Sequence, residues 1–557
     1  MTSTALARWA AIALVLAGLT ANLGSYPLLD PDEGRNAEIA REMSERGDLV
    51  RPRLNGLPYV DKPFLHFATI AVALRVFGVT EFAARLPSLL FTLGTLMVVY
   101  WFARRLFGNA GAWTAVVATG AAPLTLGFAR TVIFDATLTL FVTVALVAFY
   151  EAVERRVAGL DAWVWTVLAW FGMGAAILTK GPIGLALPLM VAAPYAWWRR
   201  ANVAVWTPAG PLACAALVLP WVVLASRDVP DLVEYALVTE TAHRLTSGLG
   251  RTGPWWYFIP ILLAGTLPWS AALVAGWRSS RLTSRDGAGR DHRTVFLLLW
   301  VLVPLVFFTL AQSKRPQYVV PLVPAMALLT ARAWVGERVP GAAGTSVTII
   351  AVGAILTAAP AIVPRLLDVS PAIASAIPSA ALLLGGCTIA SGVLFWLVRS
   401  RAAAALAVLA LPAAAIPIAS GRLMREIGRE RSAAVMAKAI LPLLEPGSTV
   451  VAIETYPLSL PFYLRRTIFV ATDSGRELTS NYLALRVHRW RDAPGTTLRP
   501  RDWWRDALED CRVRVFVTRA DDRDARAVLE GRVPLLIETR KHAAYGPCGR
   551  TLLAGEG

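Results

Sequence analysis

The sequence predicts a polytopic α-helical membrane protein with a small C-terminal α/β domain, and three observations carry that prediction. Uncharged apolar runs of spanning length recur through the first three quarters of the chain. Hydrophobic residues make up 56% of the 557 and charged ones 17%, which is more apolar surface than a soluble globule hides. Arginines gather in alternate short connections between the runs, the pattern of a protein whose basic loops stay in the cytoplasm. The net charge of +17 thus has a use at the membrane, and no nucleic-acid partner is needed to account for it.

Because about 20 apolar residues cross a bilayer as a helix, the sequence is expected to hold about thirteen spans. Their limits are 9–29, 86–103, 106–129, 136–150, 162–179, 181–198, 201–226, 252–277, 294–313, 316–331, 339–364, 369–398 and 402–421. The first reads as a span and not as a cleaved signal, since it runs into an acidic segment without a small-residue cleavage site. Alternate loops carry Arg104 and Arg105, Arg155 and Arg156, Arg199 and Arg200, then Arg278 to Arg293, Arg332 with Arg338, and Arg399 with Arg401. These loops and the N-terminus are assigned to the cytoplasm, which puts the opposite loops and the tail outside. The transmembrane domain is expected over 1–421 and the periplasmic α/β domain over 422–557.

The first outward loop, 30–85, is too long to be a mere connection. It holds Asp30-Pro31-Asp32-Glu33-Gly34-Arg35-Asn36-Ala37-Glu38, continued by Ile39, Ala40 and Met43 at helical spacing, and predicts an amphipathic helix along the membrane surface. Helix-start chemistry accounts for part of the acidic cluster: Asp30 as N-cap, Pro31 as first helical residue, Glu33 as capping-box partner. Asp32 and Arg35 are left without a structural duty, and Asp32 becomes the candidate catalytic carboxylate.

Lysine supplies a second clue in a chain with five of them. Lys62, Lys180 and Lys314 each lie in an outward turn, within Asp61-Lys62-Pro63, Thr179-Lys180-Gly181-Pro182 and Ser313-Lys314-Arg315-Pro316. As end residues of spans they would snorkel, yet positive charge is disfavoured on that side, and compact ammonium groups suit phosphate. Arg130 and Asp135 lie outward too, with Asp135 at the start of a short span, and a second long loop, 227–251, carries Glu240, His243 and Arg244. Pro254-Trp255-Trp256-Tyr257-Phe258 reads as an interfacial aromatic belt or as the lining of a lipid path.

The tail alternates β-rich runs, 449–453, 459–464, 467–471 and 512–518, with a helix near 522–531. It shows no glycine-rich phosphate loop and no nucleophile elbow, so covering the membrane site or holding an acceptor is its expected task. Cys511 and Cys548 both fall there, in an oxidising place, and are the expected disulfide, whereas Cys214 and Cys387 fall within spans.

The first-loop motif, with Arg41-Glu42-Met43, Gly47-Asp48 and Gly56-Leu57-Pro58-Tyr59-Val60-Asp61-Lys62-Pro63, resembles the opening of bacterial aminoarabinose transferases of lipid A. More broadly it resembles the protein mannosyltransferase-like GT-C glycosyltransferases. Thr179-Lys180-Gly181, Pro254-Trp255-Trp256-Tyr257 and the run from Ser313 to Pro324 follow in that family's order, and the likeness covers about residues 25–330 well. The resemblance implies a GT-C fold of thirteen helices with an external domain. It implies a sugar carried on a polyprenyl phosphate such as undecaprenyl phosphate, moved outside the inner membrane to a lipid or glycan acceptor, lipid A among them, with inversion. It matches Asp32 to the catalytic carboxylate, Arg35 to its accompanying arginine, Lys62 to a phosphate-contacting lysine and Asp135 to a second-loop acid. Arg244 and Tyr318, with Lys180 and Lys314, complete the candidate phosphate- and substrate-binding set. The chain departs from the family in having Asp61 where glutamate precedes the lysine, and Arg251-Thr252-Gly253 in place of a histidine before Pro254. The loop metal site is thus matched in part, with Asp61 and His243 as candidate ligands of a divalent ion.

The residues fit this chemistry on their own terms. A lipid-phosphate leaving group needs cations on the charge that develops as the glycosidic bond breaks, and the acceptor needs a carboxylate to orient or deprotonate it. A transporter or lipid-linked sugar flippase is the alternative from another class. Such proteins place ionisable residues mid-span and repeat a broken-helix unit, whereas this chain keeps its spans nearly free of charge and shows no internal repeat.

Overall fold

A computed structural model describes residues 3–242, 252–276, 291–334, 339, 341–491 and 493–548. The chain forms two compact units: one of residues 1–23 and 85–424, the other of residues 24–84 and 425–557. The first loop, read from sequence as part of the membrane domain, therefore shares a unit with the tail.

Among its described residues the first unit forms helices and turns, and a helix lies on each expected apolar run. By length and apolarity, eight helices among the described residues could cross a membrane, or ten if two bent pairs each count as one span. The bent pairs are Phe258–Gly265 with Trp269–Ala275, at 105°, and Ala342–Thr357 with Ala359–Leu366, at 60°. Runs 86–103 and 106–129 fall largely within the helix Glu81–Gly120, broken at Gly108, whose φ of 73° is outside the helical range. Ile183–Trp198 and the 3-10 turn Pro316–Leu322 followed by Val323–Ala333 are shorter pieces on runs 181–198 and 316–331.

Ion pairs of this unit lie at the two ends of one helix. Asp135 is the first residue of Asp135–Val157 and pairs with Lys180, while Glu151 and Glu154, near the other end, take Arg105 and Arg199. Sixteen to nineteen residues at 1.5 Å each separate these layers by about 24–28 Å, close to the hydrocarbon thickness of a bilayer. Trp255 and Trp256 remain 69% and 51% exposed, as aromatic-belt residues facing lipid would.

The second unit joins the first loop to an open α/β sheet. In the loop, the helix Asp32–Arg46 is followed by the hairpin of β1 (Arg53–Leu54) and β2 (Leu57–Pro58) and the helix Leu65–Phe77. In the tail, β3 (Thr449–Ile453), β4 (Phe469–Ala471), β5 (Leu498–Arg499), β6 (Arg514–Arg519), β7 (Leu535–Glu538) and β8 (His542–Tyr545) form one sheet in the order β5-β4-β3-β6-β8-β7. Strands β3 to β6 are parallel, and β8 is antiparallel to both β6 and β7. Expected strands 449–453, 467–471 and 512–518 correspond to β3, β4 and β6, and Arg523–Glu530 is the expected helix, capped by the Asp522 side chain. Run 459–464 is not a strand but the one-turn helix Leu460–Leu464. Pro461 falls in its first turn, where a missing N–H costs nothing, and Ser459 spends its hydroxyl on Asp30. Cys511 and Cys548 are bonded, with Cα atoms 5.3 Å apart.

Loop and tail are tied together by backbone pairing through a side chain. Asn55 Nδ2 donates to Ile468 O at 2.8 Å, its Oδ1 accepts from Ile468 N at 2.9 Å, and Thr497 Oγ1 donates to Asn55 O at 2.7 Å. The helix Asp32–Arg46 is accordingly not the half-exposed amphipathic surface helix expected. Glu33, Asn36, Glu38, Arg41 and Glu42 are buried along with Ala37, Ile39, Ala40 and Met43. Its charges enter the interior as pairs: Arg41 donates to both Glu38 oxygens, at 2.7 and 2.6 Å, and bridges to Glu45.

Candidate active site

The start of the first-loop helix departs from the capping scheme read from sequence. Asp30 does not cap it; its Oδ2 accepts from Ser459 Oγ at 2.9 Å, and burial pushes its carboxyl up to about 7. Glu33 does reach back, but to Leu29 N, at 2.9 Å. Gly34 lets the helix pack against the turn at Ser459: a Cβ there would stand 2.0 Å from Asp30 Oδ1 and 2.7 Å from Ser459 N.

These contacts aim the next turn. Asp32 Oδ1 accepts from Arg35 Nη2 at 2.7 Å, and Arg35 Nη1 donates to Thr479 Oγ1 at 3.1 Å and to Thr479 O at 3.3 Å. The guanidinium lies 5.9 Å from the ring centre of Tyr59. Arg35 is thus clamped from both sides, and the Asp32 side chain keeps 30% of its surface open. Lys62 follows Asp61 and donates to its carbonyl. The Asp61 carboxylate accepts from Ser480 Oγ, Asn481 N and Tyr482 N, at 3.2, 2.8 and 3.1 Å, and so organises the start of the helix Asn481–Leu485. That duty was not foreseen for a candidate metal ligand. His243 and Arg244 lie outside the described residues, among which no three His, Cys, Asp or Glu side chains gather as a metal site.

The helical unit holds a second cluster. Asp135, 1% exposed, receives Lys180 Nζ at 2.5 Å. Lys180 ends the helix Trp163–Lys180 because Gly181 turns the chain at φ 78°, ψ −151°, a conformation open to glycine. Its ammonium also lies 5.4 Å from the ring centre of Tyr318, which stacks on Phe258 at 6.1 Å, and Lys314 Nζ sits 5.3 Å from Phe258 on that ring's account. The two lysines expected here therefore flank one aromatic pair. Lys314 is also engaged as a helix cap, donating to Phe308 O and Thr309 O at 3.0 and 2.7 Å. Arg130 does the same for the first helix, at Gly18 O and Leu19 O.

Sequence reasoning singled out Asp32, Arg35, Lys62, Asp135, Lys180, Lys314 and Tyr318; the structure gives all but Lys62 a defined charged or aromatic neighbour, and Lys62 donates to the Asp61 carbonyl. It missed Thr479 and Ser459. Neither carries a local signal, since their partners lie more than 400 positions away in the chain.

Residues 4–236 match the family model of dolichyl-phosphate-mannose-protein mannosyltransferase. An undecaprenyl phosphate-alpha-4-amino-4-deoxy-L-arabinose arabinosyl transferase of Pseudomonas fluorescens is 31% identical over 354 residues, 60% of this chain and 60% of the relative. The corresponding Aeromonas hydrophila transferase is 33% identical over 337 residues, 58% of this chain and 59% of its own. The matched region thus spans about three fifths of the length of these curated relatives. The crystal structure of ArnT from Cupriavidus metallidurans bound to undecaprenyl phosphate superposes with a TM-score of 0.82 at 26% identity, covering 100% of both chains.

Proposed function

We propose that this chain, a GT-C, aminoarabinose-transferase-like membrane protein, moves a sugar from a polyprenyl-phosphate donor to a lipid or glycan acceptor on the periplasmic face of the inner membrane, with inversion at the anomeric carbon. The observation that carries the reading is the Asp32–Arg35 pair: a carboxylate left 30% open at the head of an otherwise buried helix, beside a clamped guanidinium. Undecaprenyl phosphate, named for the relatives, is the carrier this reading adopts.

Asp32 orients the acceptor oxygen and takes its proton as that oxygen bonds to the anomeric carbon. The bond from that carbon to the phosphate oxygen breaks, and its electron pair leaves on the polyprenyl phosphate. Arg35 and Lys62 supply positive charge for that phosphate, and Lys180 of the helical unit is the alternative candidate for the same role. Asp135 holds Lys180 and is a positioning residue in this scheme, with Tyr318 as the aromatic floor under the ammonium. The layered charge of the helical unit supports an inside face at Glu151 and Glu154 and an outside face at Asp135 and Lys180.

The test follows release of polyprenyl phosphate by the purified protein given a polyprenyl-phosphate sugar and candidate acceptors. Acceptor-dependent release that falls by about 10²-fold or more in a folded Asp32→Asn variant supports the reading. Wild-type turnover in that variant would refute the assignment of Asp32.

A further inference from the structure

The first loop and the tail meet at one turn of the second unit, and the contacts there run in series toward Asp32. After β4 the tail turn is braced by its own residues as far as Leu478. Thr472 Oγ1 and Ser474 Oγ donate to the two Glu477 oxygens at 2.8 and 3.1 Å, and Leu478 N donates to Gly475 O at 3.4 Å. Past Thr479 the brace comes from the first loop instead. Ser480 Oγ and Tyr482 N donate to Asp61 Oδ1, and Asn481 N donates to Asp61 Oδ2. Asp61 is 7% exposed, so its carboxylate is withdrawn from water to hold this turn, and hydrogen bonds to a charged acceptor make the hold firm.

Thr479 sits between the two braces in a left-handed backbone conformation, φ 52° and ψ 30°. For a β-branched residue that conformation is strained, and it persists only where the surroundings over-determine it. Upstream it is fixed by Thr479 N donating to Arg476 O at 2.9 Å, and downstream by Asp61 on the next three residues. The strain serves a direction. Thr479 O and Thr479 Oγ1 both accept from Arg35 Nη1, at 3.3 and 3.1 Å, while Nη2 of the same guanidinium donates to Asp32 at 2.7 Å. Relaxing Thr479 into the right-handed or extended range would rotate its carbonyl off Arg35.

We propose that Asp61 is a positioning residue of the transfer reaction, acting through the turn 479–482 on Arg35 and thereby on the Asp32 carboxylate; the assignment rests on the transfer reading above. The tail then takes part in the geometry of the catalytic pair, which neither a cover nor an acceptor platform would require. Lys62 follows Asp61 and donates to its carbonyl, so one anchor places both cations of the second unit that face the leaving phosphate in that reading. A guanidinium held at three points is in place before the phosphate charge develops, whereas one that must be gathered in loses part of that stabilisation to reorganisation.

Release of polyprenyl phosphate is measured at steady state for the full chain, wild type and variants. Modification of Arg35 by phenylglyoxal, followed by peptide mass spectrometry, adds a readout that needs no substrate. Asp61→Asn keeps the volume and sets an amide N–H against the turn's donors, while Thr479→Val, at an exposed position, keeps the shape and removes the hydroxyl acceptor. Expected is a fall in kcat of about ten- to hundredfold for Asp61→Asn and about three- to tenfold for Thr479→Val, with the KM for donor within about threefold in both. Arg35 should be modified about three- to tenfold faster in each, with Arg526 in the tail helix unchanged. In an Arg35→Gln background neither substitution should lower kcat by more than about twofold further. Ser480→Ala strips Asp61 of one donor of the three and repeats the test should Asp61→Asn not fold, with an expected loss of about two- to fivefold. Full losses in the Arg35→Gln background, or wild-type modification of Arg35 in the folded variants, overturn the proposal. So does turnover that a chelator abolishes and a divalent ion restores in wild type but not in Asp61→Asn, which would give that carboxylate a metal to hold. Faster modification of Arg35 in the variants, with no release from wild type under any acceptor, refutes the transfer reading and upholds Asp61 as the anchor of Arg35.

Discussion

Replacing Asp30 with asparagine should stabilise the protein at pH 8 and leave it unchanged near pH 4. Burial raises this carboxyl from 3.8 to about 7, against the hydrogen bonds from Ser459 and the charge of Lys541, and with the Glu33 charge adding to the rise. The folded state therefore keeps the proton to higher pH than the unfolded chain does. Stability contributed by the protonated group is whole below about 4, is lost as pH rises from about 4 to 7, and changes no further above. Each pH unit in that window is worth about 1.4 kcal/mol, so the ceiling is about 4 kcal/mol, and water reaching a half-buried carboxyl reduces the expectation to about 1–3 kcal/mol. Asparagine keeps the acceptor for Ser459 Oγ and cannot ionise. Thermal unfolding followed by tryptophan fluorescence should show a gap between variant and wild type that opens from near zero at pH 4.5 to about 2–6 °C at pH 8. A gap independent of pH, or a wild type more stable than the variant at pH 8, would refute the account of Asp30.

Gly34→Ala should lower the unfolding temperature despite the gain in helix propensity of about 1 kcal/mol, because its Cβ meets Asp30 Oδ1 at 2.0 Å and backbone at 2.7 Å. It should also cut transfer, since any shift that relieves the clash moves Asp32; unchanged Tm and rate would contradict the packing described. Asn55→Ala strips Ile468 of two hydrogen bonds and puts alanine at φ 55°, so a loss of about 2–4 kcal/mol is expected in denaturant titrations. Lys180→Met and Asp135→Asn should each raise the KM for donor, and the double variant should be no worse than Lys180→Met alone if Asp135 acts through the lysine. Additive losses would give Asp135 a role of its own.

The apolar runs were legible because each must carry a helix wherever it lies: a chain in lipid has no other way to satisfy its backbone. Their breaks were less so, since Gly108 and the 105° bend before Trp269 interrupt sequence that is apolar throughout. The tail's parallel strands were legible where they are β-rich, while β5, at two residues, offers no pattern to read. The candidate site was legible through residue scarcity, as five lysines in a chain of arginines and an acidic motif in an outward loop. Thr479 was not, because the contact that matters joins it to Arg35 across 444 positions, and Asp30 was misread because a distant serine outbids the local helix start.

The same tertiary contacts explain why one acid of the first-loop motif is available for chemistry. Glu33 is spent on Leu29 N, Glu38 on Arg41, and Glu42 on Gly56 N, and all three are buried. Burial pushes Glu38 up, against the pull of Arg41, and burial together with the Glu38 charge pushes Glu42 up to about 8, so that Glu42 favours the proton. An acid that favours its proton is a poor acceptor of another. Asp32 differs on both counts, since a guanidinium lies 2.7 Å from one oxygen and 30% of the side chain remains open. The helix buries Glu38 and Arg41 as a pair, and Gly34 fixes its rotation against the tail. The direction in which Asp32 points is therefore set by Gly34, which seats the helix, and by Arg35, which holds one carboxylate oxygen.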